Sequence, residues 1–181
     1  MIFKRIIKKT VGQIIYKNRM KGIEKYGESV LVNNNCRFIG HIELGNNISI
    51  GEGAYFVSTR ARLIIKDNCV FGPNVTIYTG DHAIHVIGKH IIDVTDDDKN
   101  SIEEQLDKNV IIDEGCWIGT RAIILKGVHI GKGCVIGAGA VVTRDVPPYS
   151  VYVGVPSVKI MPRFSDEEII EHERLLNIKE R

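Results

Sequence analysis

No stretch of this 181-residue sequence approaches the roughly 20 consecutive apolar residues that crossing a bilayer requires. A helical membrane span is therefore not expected. A signal peptide is not expected either: Lys8 and Lys9 interrupt the apolar positions near the N-terminus, and no small-residue cleavage site follows. The expected compartment is the cytosol. Excess charge of one sign is also missing. Lys and Arg number 24 against 22 Asp and Glu, a formal +2, so bulk electrostatics gives no footprint for nucleic acid. The near-balance conceals a basic stretch from Lys4 to Lys25 and an acid-rich one from Asp93 to Glu104. The four cysteines include no CxxC pair, which removes the usual spacing of a zinc or redox site.

What the sequence does have is a period. Between Ile112 and Pro147 it reads IDEGCW, IGTRAI, ILKGVH, IGKGCV, IGAGAV, VTRDVP, six units without a slip. Ile112, Ile118, Ile124, Ile130, Ile136 and Val142 head them, and the fifth positions are small or medium and mostly apolar. An earlier array runs from Val32 to Tyr55 and resumes at Ile65. Extra residues between Phe56 and Ile64 predict an outward bulge at one corner. Each such unit buries its apolar face only by stacking on its neighbours. Helical spacing fails here, so the predicted fold is a parallel β-helix, with each head residue pointing inward and Gly at the second position serving a corner of unusual φ/ψ. Cys36, Cys69, Cys116 and Cys134 all fall at fifth positions and read as inert core, with Cys116 stacked on Cys134.

The segment NVTIYTGDHAIH, Asn74 to His85, and the run from Trp117 to Ile160 resemble the hexapeptide-repeat O-acetyltransferases. That family includes the maltose and galactoside enzymes and those that decorate capsule, O-antigen and nodulation-factor sugars. The likeness covers most of residues 30–160. It implies a left-handed β-helix, a homotrimer, and acetyl-CoA in the groove between neighbouring subunits, with no metal. It implies that His82 is the catalytic base, that Trp117 and Thr120 border the cofactor, and that Ala138, Thr143 and Arg144 contact CoA further along. The Gly154–Pro156 turn would close that groove. A sugar hydroxyl attacks a thioester only as a base removes its proton, and an imidazole, with an ordinary pKa near 6.5, suits that step at neutral pH. His82 also sits where the repeat breaks into an insertion, residues 83–109, long enough to project as a lid or pocket wall. His85 is expected to support the site, as a further acceptor contact, or the insertion's fold.

One coil departs from the neutral-sugar pattern. YFVSTRARLIIKD, preceding the His82 coil, carries Arg60 and Arg62, which predict an acceptor bearing carboxylate or phosphate. Two other functions remain open. A γ-class carbonic anhydrase would need histidines where Thr120 and Leu125 (or Lys126, with a one-residue shift) stand. A non-catalytic scaffold would bind no CoA. The predicted organisation is a basic amphipathic helix over residues 1–25, the β-helix over 26–162, and a C-terminal helix over 163–181. The first helix either caps the open end of the solenoid or meets an anionic membrane surface. Ser165 and Glu168 form a capping-box pattern for the last one, whose apolar side is expected to pack on the prism.

Overall fold

The computed structural model describes residues 17–100, 106–155 and 157–179. Of the helix expected over residues 1–25, residues 1–16 lie outside them. Lys17–Arg19 are helical, a turn follows, and Lys25 already belongs to a strand, so the helix ends earlier than expected and neither of its two proposed uses is tested. The remainder winds as a parallel β-helix with three faces. The first face stacks β2 (Leu31–Val32), β4 (Ser49–Ile50), β6 (Val70–Phe71), β9 (Trp117–Ile118), β12 (Val135–Ile136) and β14 (Ser150–Gly154) in parallel, and β15 (Ser157–Pro162) folds back antiparallel on β14. The second face takes the first half of β3 (Arg37–Leu44), the first half of β5 (Tyr55–Ile65), β7 (Thr76–Tyr78), β10 (Ile123–Ile124) and β13 (Val141–Val142). The third takes β1 (Lys25–Tyr26), the second halves of β3 and β5, β8 (Val110–Ile112) and β11 (His129–Ile130).

The six-residue period accounts for this geometry. Ile112, Ile118, Ile124, Ile130, Ile136 and Val142 are fully buried, and the small fifth-position side chains fill the corners beside them. Each isoleucine so removed from water contributes about 1.5–3 kcal/mol, and each does so only because the coils above and below supply the other walls. Cys69, Cys116 and Cys134 form one buried column with no disulfide among them. Each of these thiols donates to a carbonyl of the following coil: Asp113 at 3.2 Å, Gly131 at 3.2 Å and Pro147 at 3.0 Å. Hydrogen bonds with Cys134 and Cys69, together with burial, push the Cys116 thiol up, away from the reactive thiolate.

The glycines correct one expectation. Second-position Gly119 and Gly131 do not have positive φ; they are small because the next coil passes very close. The left-handed backbone sits at the fourth position instead, as glycine in Gly115, Gly127, Gly133 and Gly139 and as asparagine in Asn35, Asn47, Asn68 and Asn74.

The bulge is where the spacing put it. Gly40 pairs with Ser58 but His41 with Arg62, so Thr59–Ala61 are looped out of the ladder. The buried Ser58 hydroxyl stitches the loop, lying 3.1 Å from the His41 carbonyl and 2.7 Å from that of Ala61. One coil later, at the same corner, the chain leaves the helix from Thr79 to Asn109. This excursion carries a 3-10 turn at Ile91–Asp93 and the short helix α1 (Asp96–Asn100). At the C-terminus α2 (Asp166–Lys179) starts with the expected reciprocal cap, Ser165 N–H to Glu168 Oε2 at 2.8 Å and Glu168 N–H to Ser165 Oγ at 3.2 Å. Its attachment is more polar than expected. Glu173 accepts from Lys132 at 2.8 Å and from the Tyr149 hydroxyl, whereas Ile170 and Leu175 are exposed.

Candidate active site

His82 lies four residues after β7, just inside the excursion from the helix. The excursion is tied shut at its base. Thr79 is fully buried and its carbonyl accepts from Lys108 N–H at 2.8 Å; Ala83 and Leu106 are buried close by in sequence. The His82 N–H donates to the neighbouring Asp81 Oδ1 at 2.9 Å, and Asp81 Oδ2 pairs with Lys126 Nζ of the next coil at 3.4 Å. Both contacts fix the backbone and leave the imidazole exposed. The ring has no hydrogen-bond partner among the described residues. His82 shares a cavity of about 620 Å³ with Thr59, Arg60, Asp81, Lys99, Asp107 and Lys126. Bulge, excursion and following coil thus converge at the second corner, between the second and third faces.

Of the two expected arginines the fold brings only one here. Arg60 lines the cavity, and its guanidinium meets Asp96 Oδ1 at 2.9 Å and Asn100 Oδ1 at 3.2 Å, both on α1. Arg62 does not line it. It returns to the third face, where its guanidinium binds Glu43 and sits 3.6 Å from Glu24. A residue after the bulge re-enters the ladder, so its direction is set by the strand and not by the loop. His85 is exposed on the excursion and does not line the cavity.

The residues expected at the cofactor divide between two corners. Trp117 is exposed on the first face. Thr120 and Ala138 stand at the first corner, between the first and second faces, on consecutive coils joined by the Gly139 N–H to Thr120 carbonyl bond at 2.8 Å. Thr143 and Arg144 are exposed at the second corner, in the coil after Lys126. Within one chain the second face therefore separates Trp117, Thr120 and Ala138 from His82.

Residues 109–144 match the model of the bacterial transferase hexapeptide in six repeats. This is a hexapeptide-repeat chain. It is 44% identical over 122 residues to nodulation protein L of Rhizobium meliloti, an alignment covering 65% of the chain and 61% of that protein. It is 33% identical over 142 residues to the galactoside O-acetyltransferase of Lactococcus lactis, covering 75% of the chain and 63% of that protein. It resembles the solved hexapeptide-repeat acetyltransferase of Vibrio cholerae complexed with acetyl coenzyme A, with a TM-score of 0.61 and 25% identity over 83% of this chain and 76% of that one. The hexapeptide chain spans only about three-fifths of the length of these curated relatives. With this match its solenoid is the left-handed β-helix of the hexapeptide acetyltransferases. Reading the sequence missed Lys99 and Asp107 as cavity residues. Both lie in or beside the insertion, where no repeat dictates which side chains turn toward the helix.

Proposed function

We propose that this chain is an acetyl-CoA-dependent O-acetyltransferase acting on a sugar hydroxyl, with His82 as general base. The observation that carries this reading is the placement of an exposed imidazole in a cavity at the single corner where the coil opens into a long excursion. The galactoside relative and the acetyl-coenzyme A complex supply the acceptor class and the donor. In the reaction the imidazole takes the hydroxyl proton as the oxygen bonds to the thioester carbonyl carbon. The tetrahedral intermediate then collapses, the C–S bond breaks, and the imidazolium returns the proton to the departing CoA thiolate. The thioester is already activated, so no acyl-enzyme is needed.

Trp117, Thr120 and Ala138 would border the donor, with Thr143 and Arg144 contacting CoA from the corner of His82. Because the second face divides the two groups, a donor touching both would lie between neighbouring copies, which is the reason to propose a homotrimer. A β-helix offers flat faces, and clefts arise where two prisms meet. The proposed compartment is the cytoplasm; no helix among the described residues is long and apolar enough to cross a membrane. The test is thiol release from acetyl-CoA across a panel of sugars and sugar nucleotides. His82→Ala should lower kcat by at least about a hundredfold and leave CoA affinity unchanged. Near-normal turnover by the variant would remove His82 from the chemistry, and no acetyl transfer to any acceptor would overturn the reading.

A further inference from the structure

The cavity beside His82 is lined by three cations, Arg60, Lys99 and Lys126, and by the carboxylates of Asp81, which pairs with Lys126, and Asp107. Arg60 and Lys99 share a further carboxylate, that of Asp96. Asp96 Oδ1 lies 2.9 Å from Arg60 Nη2 and 3.8 Å from Lys99 Nζ. The partners are unequally placed. The Arg60 and Lys99 side chains are each only 26% exposed and both line the cavity; the Asp96 side chain is 79% exposed and does not. Arg60 comes from the bulge that the coil makes at Thr59–Ala61, and Lys99 from α1, so both excursions at this corner send a cation to the same place.

A guanidinium held this way has hydrogen-bonding capacity directed at an oxyanion, and its geometry suits two oxygens of one anionic group. The carboxylate that holds it now is a poor match in energy. An ion pair with one partner so open to water is weak, because the carboxylate recovers nearly full hydration on release. An anion bound inside the cavity would meet both cations where they are less open to water than Asp96 is, and there the attraction is stronger. Asp96 is therefore readily displaced by a ligand of its own chemistry, which leaves the Asn100 contact as the remaining bond between α1 and Arg60.

We propose that Asp96 stands in the place of the acceptor's anionic group, and that the acceptor is a sugar carrying a carboxylate or phosphate bound by Arg60 and Lys99. This rests on the reading of the same cavity as the acceptor site. An incoming acceptor exchanges its anion for Asp96, loosens α1 from Arg60, and sets its hydroxyl beside His82. The clasp between α1 and Arg60 thus yields to an anionic sugar and stays made against a neutral one.

Calorimetry on the full chain at low salt tests this with four probes: galactose, galacturonate, galactose 6-phosphate and inorganic phosphate. The two anionic sugars should bind at least about tenfold tighter than galactose, and Arg60→Gln should remove roughly that factor. Asp96→Asn, which deletes the internal competitor, should tighten both anionic sugars; a merely structural clasp would give weaker binding instead. Which of the two sugars binds tighter distinguishes carboxylate from phosphate. Galactose binding as well as its charged forms, inorganic phosphate binding as well as galactose 6-phosphate, or Asp96→Asn weakening the complex would each overturn the proposal. Acetyl transfer measured in parallel separates the two readings. Tight anionic-sugar binding without transfer overturns the acetyltransferase reading alone, and transfer that prefers galactose overturns this one alone.

Discussion

A β-carbon added to Gly119 would lie 2.6 Å from the Ala138 nitrogen and 2.7 Å from the Ile136 carbonyl oxygen, both main-chain atoms of the next coil. A β-carbon added to Gly139 would meet nothing within 4 Å, and the only objection there is a φ of +69°. These two glycines predict different costs for the same substitution. Gly139→Ala should destabilise by about 1–2 kcal/mol, the strain of a left-handed residue. Gly119→Ala should cost about 3 kcal/mol or more, since backbone must move to relieve the overlap. Urea denaturation of both variants checks the order, and equal costs would mean that the coils separate more easily than their spacing implies. The sequence shows glycine recurring at both positions, and the period alone cannot distinguish a need for room from a need for positive φ. The asparagines held part of the distinguishing signal. Asn35, Asn47, Asn68 and Asn74 take the place of glycine at the fourth position, where asparagine tolerates the left-handed region, whereas at the second position only Asn33 does so. His82 was legible as a residue of the cavity for another reason: it lies in a local motif at a break in the period.

The excursion between β7 and β8 is held by small polar devices, because within it Ile84, Ile87, Ile91 and Ile92 are exposed. Its tightest clasp is Asp98. One carboxylate oxygen accepts from Thr95 N–H at 2.8 Å, Thr95 Oγ1 at 2.7 Å and Lys89 Nζ at 2.6 Å. Lys89 first, then the two Thr95 donors, hold this carboxyl down at about 2. A lowered folded-state pKa means that the ionised form is favoured in the folded chain. The contribution of the clasp is therefore complete above the ordinary carboxylate range, near pH 4, and is lost as the pH falls toward about 2. The Thr95 amide resonance should accordingly titrate with a midpoint close to pH 2. A midpoint near 4 would show that the clasp contributes nothing in solution. The inward positions were readable to the residue because every coil must bury the same ones. The excursion was readable only as a length, since its contacts join residues with no common spacing: Arg60 with Asp96, Lys89 with Asp98, Lys108 with Thr79. Arg62 failed as an expected cavity residue for the same reason, because the point where the bulge rejoins the ladder is set by pairing with His41 and not by the run of arginines.

At the scale of the molecule, the division of His82 from Trp117, Thr120 and Ala138 by a whole face bears on assembly. If the proposed donor site spans two copies, one chain lacking the base and another lacking the donor corner should rescue each other. Mixing His82→Ala with Ala138→Trp chains and reassembling them should restore activity to about a quarter of the sites, the random share in which both intact halves meet. Activity no greater than that of either variant alone would place the donor within a single chain. The three corners of the prism also differ in what they tolerate. Close approach is common to all three: a β-carbon on Gly72, Gly119 or Gly131 at the first and third, or on Gly40 at the second, would overlap main-chain atoms of the next coil. At the second the ladder already accommodates three surplus residues in one coil and some thirty in the next, with the core strands on either side in register. Length can therefore be added at that edge while the column beneath keeps its pairing, so a new loop is best grafted there.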